Sequence, residues 1–124
     1  MAKWFILLGG SLGLLGVVLG AFGAHALKAR LSESGLSSWE TAVSYQMYHA
    51  LVLLFVGLWL LLDGPPSLRY TGVLFIVGIV LFSGSIYALV LGAGSGFGPV
   101  TPLGGVTLIV AWATLIYSSL AINS

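Results

Sequence analysis

The stretch "LRYTGVLFIVGIVLFSGSIYALVLGA", residues 68–93, carries a single charge, Arg69, at its edge. It exceeds the roughly 20 helical residues needed to cross a bilayer core of about 30 Å. A barrel strand would alternate lipid-facing and lumen-facing residues, and no such alternation is present. Backbone groups in lipid must bond within their own segment, so the run reads as a membrane-spanning α-helix. Beyond Arg69 the chain has no Lys, Arg, Asp or Glu at all. The rest of the chain therefore has no side chains from which to build a charged, water-facing surface.

Three further apolar runs flank this one, at about Trp4–Leu27, Ser38–Leu62 and Pro102–Ile122. The chain has 124 residues, 59% hydrophobic and 6% charged, against about a quarter charged in a soluble domain. The expectation is all-α: an integral membrane four-helix bundle, one transmembrane domain over residues 1–124, whose natural partner is the lipid bilayer. Net charge is +1, which gives no electrostatic basis for nucleic-acid binding. The absence of cysteine removes disulfides, thiolate nucleophiles and Cys-ligated metals.

Local chemistry marks the breaks. Ser37-Ser38-Trp39-Glu40 has the form of a capping box with Ser37 as N-cap. Asp63-Gly64-Pro65-Pro66 stops a helix and turns the chain. Thr101-Pro102 places a hydroxyl at an N-cap and proline at the first helical position. Trp4, Trp59, Tyr70 and Tyr117 mark one membrane interface and Trp39 the other. Lys3, the following apolar run and Ala24-His25-Ala26 resemble a cleavable signal, but the run is longer than the usual 7–15 residues. An uncleaved first helix is expected. Lys3 and Arg69 fall on the side of both termini and Lys28 and Arg30 on the other, so the count of basic residues is tied. The free amino group favours cytoplasmic termini in an inner (plasma) membrane.

Small residues form seams. Gly9, Gly13, Gly16, Gly20 and Gly23 recur at spacings of 4, 3, 4 and 3, which lets a second backbone approach closely. Gly104, Thr107, Ala111, Thr114 and Ser118 repeat the device in the fourth helix, and Gly78, Ser85 and Gly92 recur every seventh residue in the third. Such seams serve internal packing, a homo-oligomer or docking to other membrane-protein subunits. His25 points away from the first seam at about 100° per residue.

The polar residues collect in one half of the bilayer, the half nearest the first loop. His25 lies within a turn of that loop, and His49 about 10 Å below the start of the second helix. Tyr45, Gln46, Ser83, Ser85, Tyr87 and Thr101 share this half, whereas the other half is nearly bare of polar groups inside its rim. Polar side chains in lipid face protein or water and find partners. These residues are therefore read either as a pocket open toward the first loop or as interhelical hydrogen bonds that fix register. A lipid-like or quinone-like molecule is the ligand such a pocket would take. No metal or other cofactor is expected: the two histidines differ in depth and no carboxylate or cysteine completes a ligand set. All three acids, Glu33, Glu40 and Asp63, lie in loops or at helix ends, which argues against a proton pathway and a Ser-His-Asp set. Gly92–Pro99 is glycine-rich but lacks the Lys-Ser/Thr of a phosphate loop and reads as a connector. No enzymatic chemistry is expected.

The blocks "GAFGAHAL" (20–27), "YQMYHAL" (45–51), "FSGSIYAL" (82–89) and "TPLGG" (101–105) occur in this order. In them the chain resembles the YgdD/YwdK-type family of small bacterial membrane proteins of unknown function, which has eukaryotic relatives in transmembrane protein 256. The resemblance spans all four helices. It implies a four-helix inner-membrane protein with an intact first helix. It supplies no activity, so no catalytic residue carries over. It does mark His25, Tyr45, Gln46, His49, Ser83, Gly84, Ser85, Tyr87, Thr101 and Pro102 as motif positions. The function expected is that of an accessory or interaction subunit of a larger membrane complex. The alternative is a small bundle holding a lipid-like or quinone-like ligand.

Overall fold

A computed structural model describes residues 1–123. Four helices account for most of it: α1 (Ala2–His25), α2 (Glu33–Leu61), α3 (Leu68–Val90) and α4 (Val100–Ser119). Each is long and apolar enough to cross a membrane. The described residues contain no strand. Packing follows chain order: α1 lies along α2, α2 along α3, and α3 along α4. Phe5, Leu53, Val56, Leu68, Phe75, Ile79, Leu108 and Ala111 form the shared core. The outer faces stay apolar, with Leu14, Val17, Ile109 and Ile116 all more than 60% exposed. Lipid is as apolar as these side chains, so they drive no association. Close packing and interhelical hydrogen bonds must hold the helices together.

Several boundaries differ from the sequence reading. The second helix starts at Glu33, well before Ser38, because Ser32 is the N-cap: its Oγ accepts the Gly35 N–H at 3.1 Å. Ser37 and Glu40 are therefore inside α2 and form no capping box. The fourth helix starts at Val100 with Pro99 as N-cap, and Thr101 turns its hydroxyl to another helix instead of capping. The first helix starts at Ala2 and ends at His25, the third ends at Val90, and the fourth ends at Ser119, before Ile122.

The turn after α2 is as abrupt as its Gly-Pro-Pro sequence suggests. Asp63 takes the left-handed conformation (φ 62°), and the Gly64 N–H reaches back to the Trp59 carbonyl at 2.9 Å. That bond closes a Schellman-type end. Gly64 is needed because a Cβ there would sit 2.6 Å from the Trp59 oxygen.

Within α3, residues Val80–Gly84 widen into a π-turn. At this level α4 presses on the backbone itself, since a Cβ on Gly104 would strike Phe82 N and Cα and Leu81 C. The Ser85 hydroxyl also engages the Phe82 carbonyl at 3.0 Å. A side chain inserted into the helical ladder is a recognised cause of such a turn.

Candidate functional site

The polar half is assembled from α2 outward. Gln46 is 3% exposed and uses both ends of its amide. Nε2 donates to the Leu12 carbonyl of α1 at 2.8 Å, and Oε1 accepts the Tyr87 hydroxyl of α3 at 2.7 Å. Two turns earlier, Trp39 donates its indole N–H to the Leu19 carbonyl at 2.9 Å and packs its ring against Tyr87, centroids 4.7 Å apart. Trp39 is thus buried between helices and does not mark an interface. Ser83 donates to the Ala42 carbonyl at 2.7 Å, and Ser85 meets Thr101 of α4 at 2.5 Å. His49 holds the Tyr45 carbonyl with Nδ1 at 2.6 Å, and its Nε2 accepts the Trp112 N–H at 3.1 Å.

The expected pocket therefore separates into parts. Gln46, Ser83, Ser85, Tyr87 and Thr101 join helices in pairs, and no buried side-chain nitrogen or oxygen among the described residues lacks a partner. They tie α1 to α2, α2 to α3, and α3 to α4. His25 does not join them: it is exposed at the end of α1 and makes none of these bonds. Tyr45 is 40% exposed and stacks on Phe82, centroids 4.6 Å apart at 22°.

The opposite half is not bare. Thr71 and Thr114 meet at 2.8 Å, and Ser67 and Ser118 at 2.7 Å, both pairs joining α3 to α4. Sequence spacing reads Thr114 and Ser118 only as small residues, because their partners lie on another helix. Trp112 was also missed. The available signal was an indole in the interior of a span, whose N–H needs a partner when buried.

The glycine seams face the chain's own helices. Gly9, Gly16, Gly20 and Gly23 oppose Leu54, Met47, Val43 and Trp39 of α2, while Gly13 opposes nothing within 4 Å. Gly104 meets the α3 backbone, Gly78 meets Leu108, and Ala111 and Ser118 are buried.

Of the open clefts, two are lined by residues of the expected pocket. One, of about 720 Å³, lies where α2 begins, α3 ends and α4 begins. Ser32, Ser34, Ser38, Thr41 and Thr101 line it together with the apolar Ile86, Leu89, Val90 and Pro102. The other, of about 570 Å³, opens sideways between α2 and α4 and is lined by Tyr45, Tyr48, His49, Phe82, Gly105 and Trp112, with Leu108 and Ile109. No group of three or more His, Cys, Asp or Glu side chains comes together among the described residues. Both ring nitrogens of His49 are already engaged.

Residues 19–105 match the family described as "Protein of unknown function (DUF423)". The UPF0382 membrane protein YwdK of Bacillus subtilis is 46% identical over 119 residues, covering 94% of this chain and 96% of the relative. A UPF0382 membrane protein of Staphylococcus aureus is 44% identical over 119 residues, covering 94% and 95%. A Staphylococcus epidermidis relative is 44% identical over 120 residues, covering 95% and 96%. No solved structure matches the chain.

Proposed function

The chain belongs to the DUF423 family of membrane proteins of unknown function, and from that premise we propose that it binds the polar head of a bilayer amphiphile. The observation that carries this reading is the cleft of about 720 Å³ at the first-loop end of the bundle. Its lining combines hydroxyl-bearing and aliphatic residues. Hydroxyls both donate and accept, which suits phosphate, glycerol or sugar groups. The aliphatic residues give the upper part of an acyl chain a surface matched to it. The position also fits, since the N-terminus of α2 lies where head groups meet water. At 1.5 Å per residue α2 is about 43 Å long, so its first turns extend beyond a ~30 Å hydrocarbon core.

The rival reading, an accessory or interaction subunit, drew on the glycine seams. The chain's own α2 and α3 fill most of those positions, leaving the amphiphile reading with the better support. We place the protein in the inner (plasma) membrane with cytoplasmic termini, on the side of Lys3 and Arg69. Gentle detergent extraction followed by native mass spectrometry tests the proposal. A retained lipid adduct that Ser38→Phe abolishes is the expected result. A stoichiometric co-purifying protein without lipid would favour the subunit reading, and a bare monomer would overturn both.

A further inference from the structure

We infer that the lateral cleft between α2 and α4 seats the planar ring of a tailed quinone that enters from the hydrocarbon. This inference concerns a different site from the interfacial cleft and stands independently of it. One wall is continuous and aromatic, because Tyr45 stacks on Phe82 with centroids 4.6 Å apart and planes at 22°. The facing side belongs to α4, where Trp112 stands edge-on to both His49 and Phe75, at 69° and 88°. Between them Gly105 leaves space: a Cβ added there would meet nothing within 4 Å. The result is a slot of about 570 Å³, within the range of small-molecule sites, with aromatic walls and few polar groups.

A linear acyl chain gains nothing from stacked aromatic walls that the aliphatic helix faces elsewhere do not offer. A flat ring does gain, through offset stacking on Tyr45 and edge contact with Trp112. Tyr45 and Tyr48 are 40% and 60% exposed, and their hydroxyls make none of the interhelical bonds described above. They are free to donate to ring carbonyl oxygens, which can only accept. The opening faces lipid, as the exposure of Tyr48 (60%) and Ile109 (69%) shows, so a tail can stay in the bilayer while the ring enters.

The test titrates menaquinone-4 into the full-length protein in phospholipid nanodiscs and reads tryptophan emission. The expected result is saturable quenching at one quinone per chain, most of it removed by Trp112→Phe. Gly105→Leu places a side chain in the slot from a position whose Cβ meets nothing within 4 Å, and should raise the half-saturation concentration at least tenfold. Ile109→Phe, which also narrows the slot, should act in the same direction, so a folding defect in one variant leaves the other informative. Ser38→Phe should leave the quenching unchanged, which separates this site from the interfacial one. Quenching that rises linearly with quinone, or that is identical in wild type and both slot-filling variants, would overturn the assignment.

Discussion

Trp112 donates its indole N–H to His49 Nε2 across 3.1 Å, from α4 to α2. An indole nitrogen only donates, so Nε2 must present a lone pair. Nδ1 faces the Tyr45 carbonyl at 2.6 Å, and a carbonyl only accepts, so Nδ1 carries the hydrogen. Two neighbours thus select one tautomer of the ring. Histidine-selective ¹⁵N spectra in micelles should show His49 as the Nδ1–H form and His25, which lacks such partners, as a separate exchanging signal. In Trp112→Phe the His49 signal should shift toward a tautomer mixture. A wild-type spectrum dominated by the Nε2–H form would contradict this arrangement.

Gln46 and Tyr87 form one of the bonds that tie α2 to α3, and Gln46 also holds α1. Tyr87→Phe leaves Gln46 Oε1 without its donor in an apolar setting. Interhelical bonds in membranes contribute about 0.6–2 kcal/mol, so a loss in that range is expected. Gln46→Leu should cost more, because it removes the bond from Nε2 to the Leu12 carbonyl as well and leaves the Tyr87 hydroxyl unpaired. The double variant should lose less than the sum of the two, with a coupling of roughly 0.6–1.7 kcal/mol. Equilibrium unfolding in mixed micelles measures all four corners of the cycle. Strict additivity would show that the contact contributes nothing.

The orientation rests on a tie, which makes it unusually sensitive. Lys3 and Arg69 lie on the side of the termini, Lys28 and Arg30 on the first-loop side. Short loops with more Lys and Arg stay in the cytoplasm. Lys28→Gln with Arg30→Gln should therefore give a uniform population with cytoplasmic termini. Lys3→Gln with Arg69→Gln should give mixed or inverted insertion. C-terminal fusions to green fluorescent protein and to alkaline phosphatase report the two sides: fluorescence without phosphatase activity is expected of the wild type.

How far the sequence reaches is visible residue by residue. The four spans follow from hydropathy alone, since a chain without charge after Arg69 has few alternatives. The turn at Asp63-Gly64 was equally legible, because its residues act on their own backbone. Helix starts were less so. The capping-box pattern points to Ser37, whereas the cap is Ser32, which accepts the Gly35 N–H. The polar layer was legible as a depth but not as a set of pairs. Ser85 meeting Thr101, or Trp112 reaching His49, depends on how helices rotate about their axes. His25 shows the same limit: its depth matched the layer and its direction did not. The π-turn at Val80–Gly84 has one cause within α3, the Ser85 hydroxyl, and another in α4, whose Gly104 lies far along the chain and out of reach of any local pattern.

The glycines offer the sharpest ranking, because each meets a different kind of neighbour. A Cβ on Gly104 would strike the Phe82 and Leu81 backbone, which has no rotamer to change. Gly104→Ala must push α3 and α4 apart, breaking the Ser85–Thr101 contact, and overpacking of this kind costs about 1–3 kcal/mol. On Gly23 the Cβ would lie 2.5 Å from the Trp39 ring, which the Leu19 carbonyl and Tyr87 hold in place. The cost there should be nearly as large. On Gly16 it would meet the Met47 sulfur, the flexible part of an adaptable side chain, so the loss should be small. Gly13 and Gly105 meet nothing, and alanine should be neutral or stabilising there by up to about 1 kcal/mol through helix propensity. The order expected from unfolding midpoints in mixed micelles is Gly104, then Gly23, then Gly16, with Gly13 and Gly105 at or above wild type. Equal losses at Gly104 and Gly13 would mean that the seams do not face α2 and α3, and that their outer use as docking surfaces must be reconsidered.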